Sequence, residues 1–404
     1  MRRWRLPTAI GAAVLLARIL DAPPLLDVAL SAPPADISIE YPVLHVLLAP
    51  LTVPADWLNG GSRYDLFSLI GWVAFAVVAW SALAVPRAGA GSWRVAASRL
   101  IAGCLALVAF VAVVVWAWRP VPRIVVADST ALVFDVHSHT SLSHDGRAGF
   151  GVAANAAWHR RTGFHAAFVT DHNRYGAVRQ WQADRPEDAV RLLNGEELSL
   201  AGLHLIVLGT RRELSSAPHN ESAAATLGLV DSLASDPERP LLVASLPEYA
   251  RHWWGQRLDT LLMSGIGGLE IWTSSPKGME FSAADRARAL TAARLRRLAV
   301  VGATDMHGLG QTATVWNVVR IPDWRSLSDS TLERTLLAHL RAGGAEGNRV
   351  IALDRWQAAG GAWAWAAAPL GLWGALRRTS PAHTLVMLLW LLIPVGLAGL
   401  RRSG

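Results

Sequence analysis

The chain is poor in three things: cysteine, lysine and charge. Cys104 is its single cysteine. One thiol allows no intrachain disulfide and excludes a zinc site built from thiolates. Lys277 is the single lysine, so the formal net charge of +7 rests on arginine. No basic block alternates with aromatics, so no nucleic-acid partner is expected. Charged residues make up 17% of the 404 residues and hydrophobic ones 52%. That balance is too apolar for an ordinary soluble protein and turns attention to membrane segments.

Long apolar runs are indeed present. Residues 66–85 and 100–118 are each about long enough to cross a bilayer, and both carry tryptophan towards one end, as interfacial belts do. Residues 382–400 read as a further span with Arg401 and Arg402 behind it, and 361–376 as a shorter, weaker one. The first run, near residues 6–30, contains Arg18 and Asp21 and lacks a small-residue cleavage site. It reads as an uncleaved anchor. These runs divide the chain into an N-terminal membrane region (1–124), a central domain (125–355) and a C-terminal membrane region (356–404). If Arg2, Arg3 and Arg5, then Arg87, Arg94 and Arg99, then Arg377 and Arg378 are cytoplasmic, the central domain lies outside the cytoplasm. Arg119, Arg123, Arg401 and Arg402 weigh the other way. The expectation is an integral protein of a bacterial inner membrane with its central domain extracytoplasmic, and the lipid bilayer as a partner.

In the central domain, short β-type runs alternate with helical ones. That order implies an α/β fold with a mainly parallel sheet, open or closed into a barrel. Its opening stretch, "FDVHSHTSLSHDG" (residues 134–146), holds His137, His139, His144 and Asp145. A strand ending at Val136 delivers His137 and His139 to one side, because side chains alternate with period two. His-x-His alone is weak. The same design recurs, however: Asp171 and His172 follow the next strand, Glu196 lies in "NGEELS", His204 begins a strand, and Asp305 and His307 lie in "ATDMHG". In a parallel barrel such strand ends converge on one face.

In their order, "DVHSHTSLSHDG", "TDH", "GEE", His204 and "TDMHG" resemble the PHP family, named for polymerase and histidinol phosphatase domains. The resemblance runs from about residue 132 to 320. It implies a distorted (β/α)7 barrel of PHP type, here flanked by transmembrane helices, and a metal-dependent phosphoesterase activity through metal-activated water. It implies His137, His139, Glu196 and Asp305 as ligands of a first ion, with Glu196 bridging to a second held with His204. Asp145, His172 and His307 then correspond to ligands of a third. Glu196, Asp305 and His307 carry the catalytic expectation. Two or three divalent ions are expected, and mixed imidazole and carboxylate donors favour zinc, manganese or iron. Arg147 is a candidate phosphate contact and Glu270 a substrate-facing or supporting group. His144 reads as an insertion before the turn.

One position departs from the family pattern. Where a metal-binding His precedes a proline, this chain has Leu246, with Ser245, Glu248 and His252 as nearby substitutes and Trp253 and Trp254 just beyond. A phosphorylated small molecule or a lipid-linked phosphate is the expected substrate. Two other readings stand beside it. A degenerate binding or sensing module draws on Leu246. An amidohydrolase-type hydrolase would want a bridging lysine, and Lys277 lies far from that slot.

Overall fold

A computed structural model describes residues 5–82, 92–186, 189–200, 202–247, 261–262, 264–276, 278–355 and 361–400. Lys277, Glu248, His252, Trp253 and Trp254 lie outside the described residues, as do Arg2, Arg3, Arg87, Arg401 and Arg402.

The centre of the molecule is one curled sheet of ten strands: β1 (Leu25–Asp27), β4 (Ala131–Asp135), β5 (Ala166–Val169), β6 (Arg191–Leu200), β7 (Leu203–Leu208), β8 (Leu241–Ser245), β9 (Gly268–Thr273), β10 (Ala299–Ala303), β11 (Val315–Arg320) and β12 (Arg349–Leu353). Their spatial order is β1-β12-β11-β4-β5-β6-β7-β8-β9-β10. A separate ribbon pairs β2 (Ile37–Glu40) with β3 (Arg123–Val126). β4, β5, β6, β8, β9, β10 and β12 share one direction, while β1, β7 and β11 run against them. The expected mainly parallel barrel is thus a mixed sheet. β6 and β7 form a hairpin rather than a crossover, its turn containing Gly202 at φ 74.

The strands are buried on both faces, as their near-continuous apolar runs require. Leu132, Phe134, Phe168, Leu193, Ile206, Val243 and Val301 line the concave side. Helix α10 (Asp329–Gly343) closes that side with Leu332, Leu336 and Leu340, and is capped by Ser328, which accepts from Thr331 N. On the convex side, Leu198, Leu205, Leu242, Leu269 and Val300 meet helices α8 (Ala223–Ala234) and α9 (Ala283–Arg296). The short helix α7 (Arg179–Asp184) follows β5, and helix α6 (Val152–Thr162) packs outside β4 and ends at Gly163, φ 95. A side chain there would also strike Ile124 O, so both backbone and space demand glycine.

No backbone ladder joins β10 to β11. Side-chain amides close the gap instead. Asn317 accepts from Gly302 N (2.9 Å) and donates to Gly302 O (2.6 Å) and Phe134 O (3.2 Å). Asn348 donates to Val300 O and to Asn317 Oδ1, both at 2.8 Å.

The remaining helices stand at one end of this sheet. Helix α1 (Arg5–Ile19) is 15 residues long, so the anchor expected over 6–30 is helical only to Ile19. The chain then enters β1, which pairs with β12, so the boundary expected near residue 125 is crossed by strands. Helices α2 (Val43–Leu47) and α3 (Ala49–Asn59) follow. Among the described residues, helices α4 (Arg63–Ala82) and α5 (Ser92–Trp116) are the two long and apolar enough to cross a membrane, and both leave most of their surface uncovered. The run at 361–376 forms a 3-10 segment and then α11 (Ala367–Arg377), and α12 spans Pro381–Leu400.

Replacing Asn317 with Leu leaves several buried backbone and amide groups without partners, at about 1–3 kcal/mol each. The protein is expected to lose roughly 5–10 °C of melting temperature, read by thermal unfolding in detergent.

Candidate metal centre

The carboxyl ends of the co-directional strands carry the site. β4 delivers His137 and His139, the turn after β5 delivers His172, and the loop after β10 delivers Asp305 and His307. Two groups of donors form there. His137, His139, Glu197 and Asp305 lie within 4.8 Å of one another, as do His139, Asp145, His172 and His307. His139 belongs to both.

In the first group His137 Nε2 is 3.0 Å from His139 Nε2, 2.9 Å from Glu197 Oε2 and 3.4 Å from Asp305 Oδ1. His139 Nε2 is 3.1 Å from Glu197 and 3.3 Å from Asp305. Such spacings suit donors around one tetrahedral ion, whose edges are roughly 3.3 Å for bonds of about 2.0–2.1 Å. The 3.0 Å between the two imidazole nitrogens is the length of an N–H···N hydrogen bond and also lets both lone pairs turn to one shared cation. Glu197 Oε1, fully buried, has no hydrogen-bond partner among the described residues, although His204 Nδ1 lies 2.5 Å away. The donors therefore fit divalent metal.

Glu196, expected to bridge two ions, points elsewhere. Strand alternation on β6 puts it on the convex face with Leu198 and Leu200, where Leu214 N donates to it at 2.9 Å. Burial raises its carboxyl to about 8. Glu197, with the opposite parity, takes the place inside. The "GEE" motif offered both glutamates, and parity counted from the buried leucines would have chosen the second.

The second group opens outward. Asp145 Oδ2 lies 3.1 Å from His307 Nε2 and 3.3 Å from His172 Nε2, and its side chain is 42% exposed. His204 and His307 are partly exposed, and the exposed His144 ring sits 4.9 Å from that of His172. Leu246 is fully buried in the apolar core with Leu198, Leu203 and Leu261, so this position supplies no donor.

Buried polar groups support the ligands from behind. Glu270, expected as a substrate-facing or supporting group, is fully buried; its Oε2 lies 3.0 Å from His137 Nδ1 and its Oε1 accepts from Ser245 Oγ at 3.1 Å. That bond fixes the ring so that Nε2 faces the centre. Asp135, which sequence reasoning passed over, accepts from Thr304 N (3.1 Å) and Thr304 Oγ and lies 3.0 Å from His159 Nε2. It ties β4, α6 and the β10 loop together. Asp171 accepts from Thr140 N and Oγ at 2.5 and 2.7 Å, holding the "SHTS" turn beside His172. Asp305 has φ 51, a left-handed conformation that Asp tolerates.

The electrostatics are those of a crowded acidic cavity. Burial works against charge on every member. Even so, His137 holds the Glu197 carboxyl well below its usual range, and Glu197 with Asp305 holds His137 well above its own. Burial is outweighed at Asp305 too, which His137 pushes down. Burial prevails at Glu270, raised to about 7, and at His172, lowered to about 4. His307 stands at about 9 because Asp145 and Asp305 outweigh its burial.

No protein-family model matches the chain, and no curated protein matches it in sequence. Several solved structures resemble it distantly. PsfC from Pseudomonas syringae PB-5123 matches at 17% identity and a TM-score of 0.37, covering 60% of this chain and 96% of PsfC. A candidate metal-dependent phosphoesterase from Bifidobacterium adolescentis matches at 17% identity and a TM-score of 0.33, covering 51% of this chain and 95% of that one. An amidohydrolase from Chromobacterium violaceum, with sulfate bound and no metal, matches at 15% identity and a TM-score of 0.31, covering 43% and 87%. At these values no activity passes from them to this chain.

The parity of β6 yields a direct contrast. Glu197→Gln is expected to lower the bound metal by about one ion per chain, while Glu196→Gln leaves it unchanged, by elemental analysis of the purified protein. Glu270→Gln, behind His137, is expected to weaken metal affinity by roughly 10–100-fold without abolishing binding.

Proposed function

We propose that the protein is a membrane-anchored, metal-dependent phosphoesterase. The observation that carries this reading is the pair of donor groups sharing His139, an arrangement suited to adjacent divalent ions. Divalent ions in such a pair lower the pKa of water and neutralise phosphoryl oxygens. The chain's own residues do the rest. His137, His139, Glu197 and Asp305 would hold an inner ion, while Asp145, His172 and His307 would hold an outer one. His204 lies against Glu197 between them. Glu270 and Asp135 orient the ligands, and burial excludes bulk water from the inner group. Arg147, whose backbone N–H donates to His307 O at 2.9 Å, lies beside the opening and is placed to take a substrate phosphate.

The anchor is formed by α4 and α5, with α1 and α12 beside them. We infer an extracytoplasmic domain. Arg378 pairs with Asp354 at the end of β12, and Arg377 binds Leu20 O, so these arginines stand at the domain end of the helices, opposite to the side first assigned. The inference rests on Arg5, Arg94 and Arg99, towards the far ends of α1 and α5, while Arg119, Arg123, Arg377 and Arg378 at the domain end weigh the other way under the positive-inside rule.

The test uses the full chain in detergent, stripped with chelator and reloaded separately with zinc, manganese and iron. About two divalent ions per chain and metal-dependent cleavage of phosphate mono- or diesters are expected. His137→Ala and Asp305→Ala should each lose both. Metal binding without turnover on any ester would favour a binding module. Cleavage of amides or lactones alone would favour the amidohydrolase class.

A further inference from the structure

We propose that the substrate of this centre is a phosphate ester carried on a membrane lipid and presented from the bilayer rather than from solution. This rests on the phosphoesterase reading above and narrows it.

The first observation is where the helices leave. The metal centre lies at the carboxyl ends of the co-directional strands, and the apolar helices depart from that same end. Arg63, at the start of α4, pairs with Glu280 in the segment after β9 at 2.5 Å. Val115 O, in the last turn of α5, accepts from Gly310 N at 2.9 Å. Ala22 N, just after α1, donates to Arg377 O, and His383, in the first turn of α12, lies 3.0 Å from His45. A bilayer around α4 and α5 therefore begins at the catalytic end of the sheet, not at its opposite end.

The second observation is that one loop joins both. The segment carrying Asp305 and His307 runs directly onto the helices. Gln311 N and Thr312 N both donate to Asn59 Oδ1, at 2.5 and 3.0 Å, and Thr312 Oγ donates to Asp56 at 2.7 Å. Arg119 binds Asp56 and, at 3.0 Å, Thr312 Oγ. A side chain at Gly310, φ 87, would meet Asn59 Nδ2 at 2.4 Å. The loop is thus seated against α3 and α5 within a few residues of His307.

The third observation is what the rim exposes. Leu142, between His139 and Asp145, is 56% exposed, and Leu309, two residues after His307, is 47% exposed. A single exposed leucine is ordinary. These two occupy two of the three loops that carry the outer ligands, and Leu309 precedes Gly310, which bonds to the last turn of α5, where Trp116 is exposed, with exposed Trp118 just beyond. Tryptophans at a helix end mark the headgroup level. Arg147 lies on the loop after β4, and Arg174, 3.5 Å from Glu213, on the loop after β5, so Arg147 offers the opening a cationic partner for a headgroup phosphate. A lipid phosphate at headgroup depth would meet the outer ligands with its chains still in the bilayer.

The experiment reconstitutes the full chain in lipid vesicles and compares phosphate mono- and diesters bearing either two oleoyl or two butanoyl chains. The long-chain esters are expected to be turned over at least about tenfold faster in kcat/KM. Leu142→Asp and Leu309→Asp should lower long-chain turnover by about tenfold, leaving short-chain turnover within about twofold. Equal rates on both, or a preference for the short-chain esters, would overturn the proposal while leaving the phosphoesterase reading intact. A second readout needs no turnover. Spin labels at Leu142→Cys and Leu309→Cys, in a Cys104→Ser background, should relax faster with lipid-soluble oxygen than with an aqueous nickel chelate. Labels that read as aqueous overturn the membrane-facing rim by themselves. Lipid-exposed labels with no hydrolysis of any ester would instead sink the phosphoesterase reading, and the substrate assignment with it.

Discussion

Buried negative charge is the constraint on which the rest depends. Glu197, Glu270 and Asp135 are almost fully buried, and Asp305 is largely so. Desolvated carboxylates are costly unless cations or hydrogen bonds balance them. Among the described residues no arginine bonds to any of these four; their side-chain partners there are histidines and hydroxyls. Six imidazoles, His137, His139, His159, His172, His204 and His307, supply the possible positive charge, but those at the centre crowd one another. The His139 ring is stacked on His307 at 4.0 Å and on His172 at 4.9 Å. Protonating neighbours at that distance trades one repulsion for another. A divalent ion solves the same problem with one compact charge and uses the imidazole lone pairs rather than opposing them. The strand ends, the amide seam at Asn317 and the buried bonds of Asp135 all hold donors in place against this repulsion.

Much of the site was legible in the sequence because period-two alternation and strand-terminal placement act over a few residues. His137 with His139, and Asp305 with His307, needed only that rule, and the structure brings these four together with His172 and Asp145. The choice between Glu196 and Glu197 needed the facing of β6, which its own leucines encode: Leu198 and Leu200 pack outward, so Glu196 does too. Glu270 was noticed, but its role behind His137 depends on a contact 133 residues apart. Asp135 and Asn317 gave no signal, since a lone polar residue in a strand looks alike whether it closes a sheet or faces water.

The topology was less legible than the elements. Alternating strand and helix runs suggested parallel crossovers, yet only two residues separate β6 from β7, too few for anything but a hairpin. β1 is three residues long and lies inside what reads as an anchor, and only its pairing with β12 defines it. That pairing matters physically. It binds the N-terminal segment to the far edge of the sheet, so helices before and after the domain are held to the same end without a flexible tether.

The loop after β10 shows why that attachment and the metal centre go together. Asp305, Gly308 and Gly310 all have positive φ, at 51°, 80° and 87°. For Asp305 this costs about 1 kcal/mol, and a left-handed residue persists only where its surroundings over-determine it. Here both flanks do so. On one side Asp305 N donates to His137 O at 3.0 Å, and Thr304 is held by Asp135. On the other, Asn59 and Val115 receive the backbone of residues 310–312. The ligand pair is therefore stretched between the sheet and the helical ends. Loosening α3 or α5 removes half of what holds Asp305 and His307 in position, so the helices belong to the site's geometry as much as the strands do.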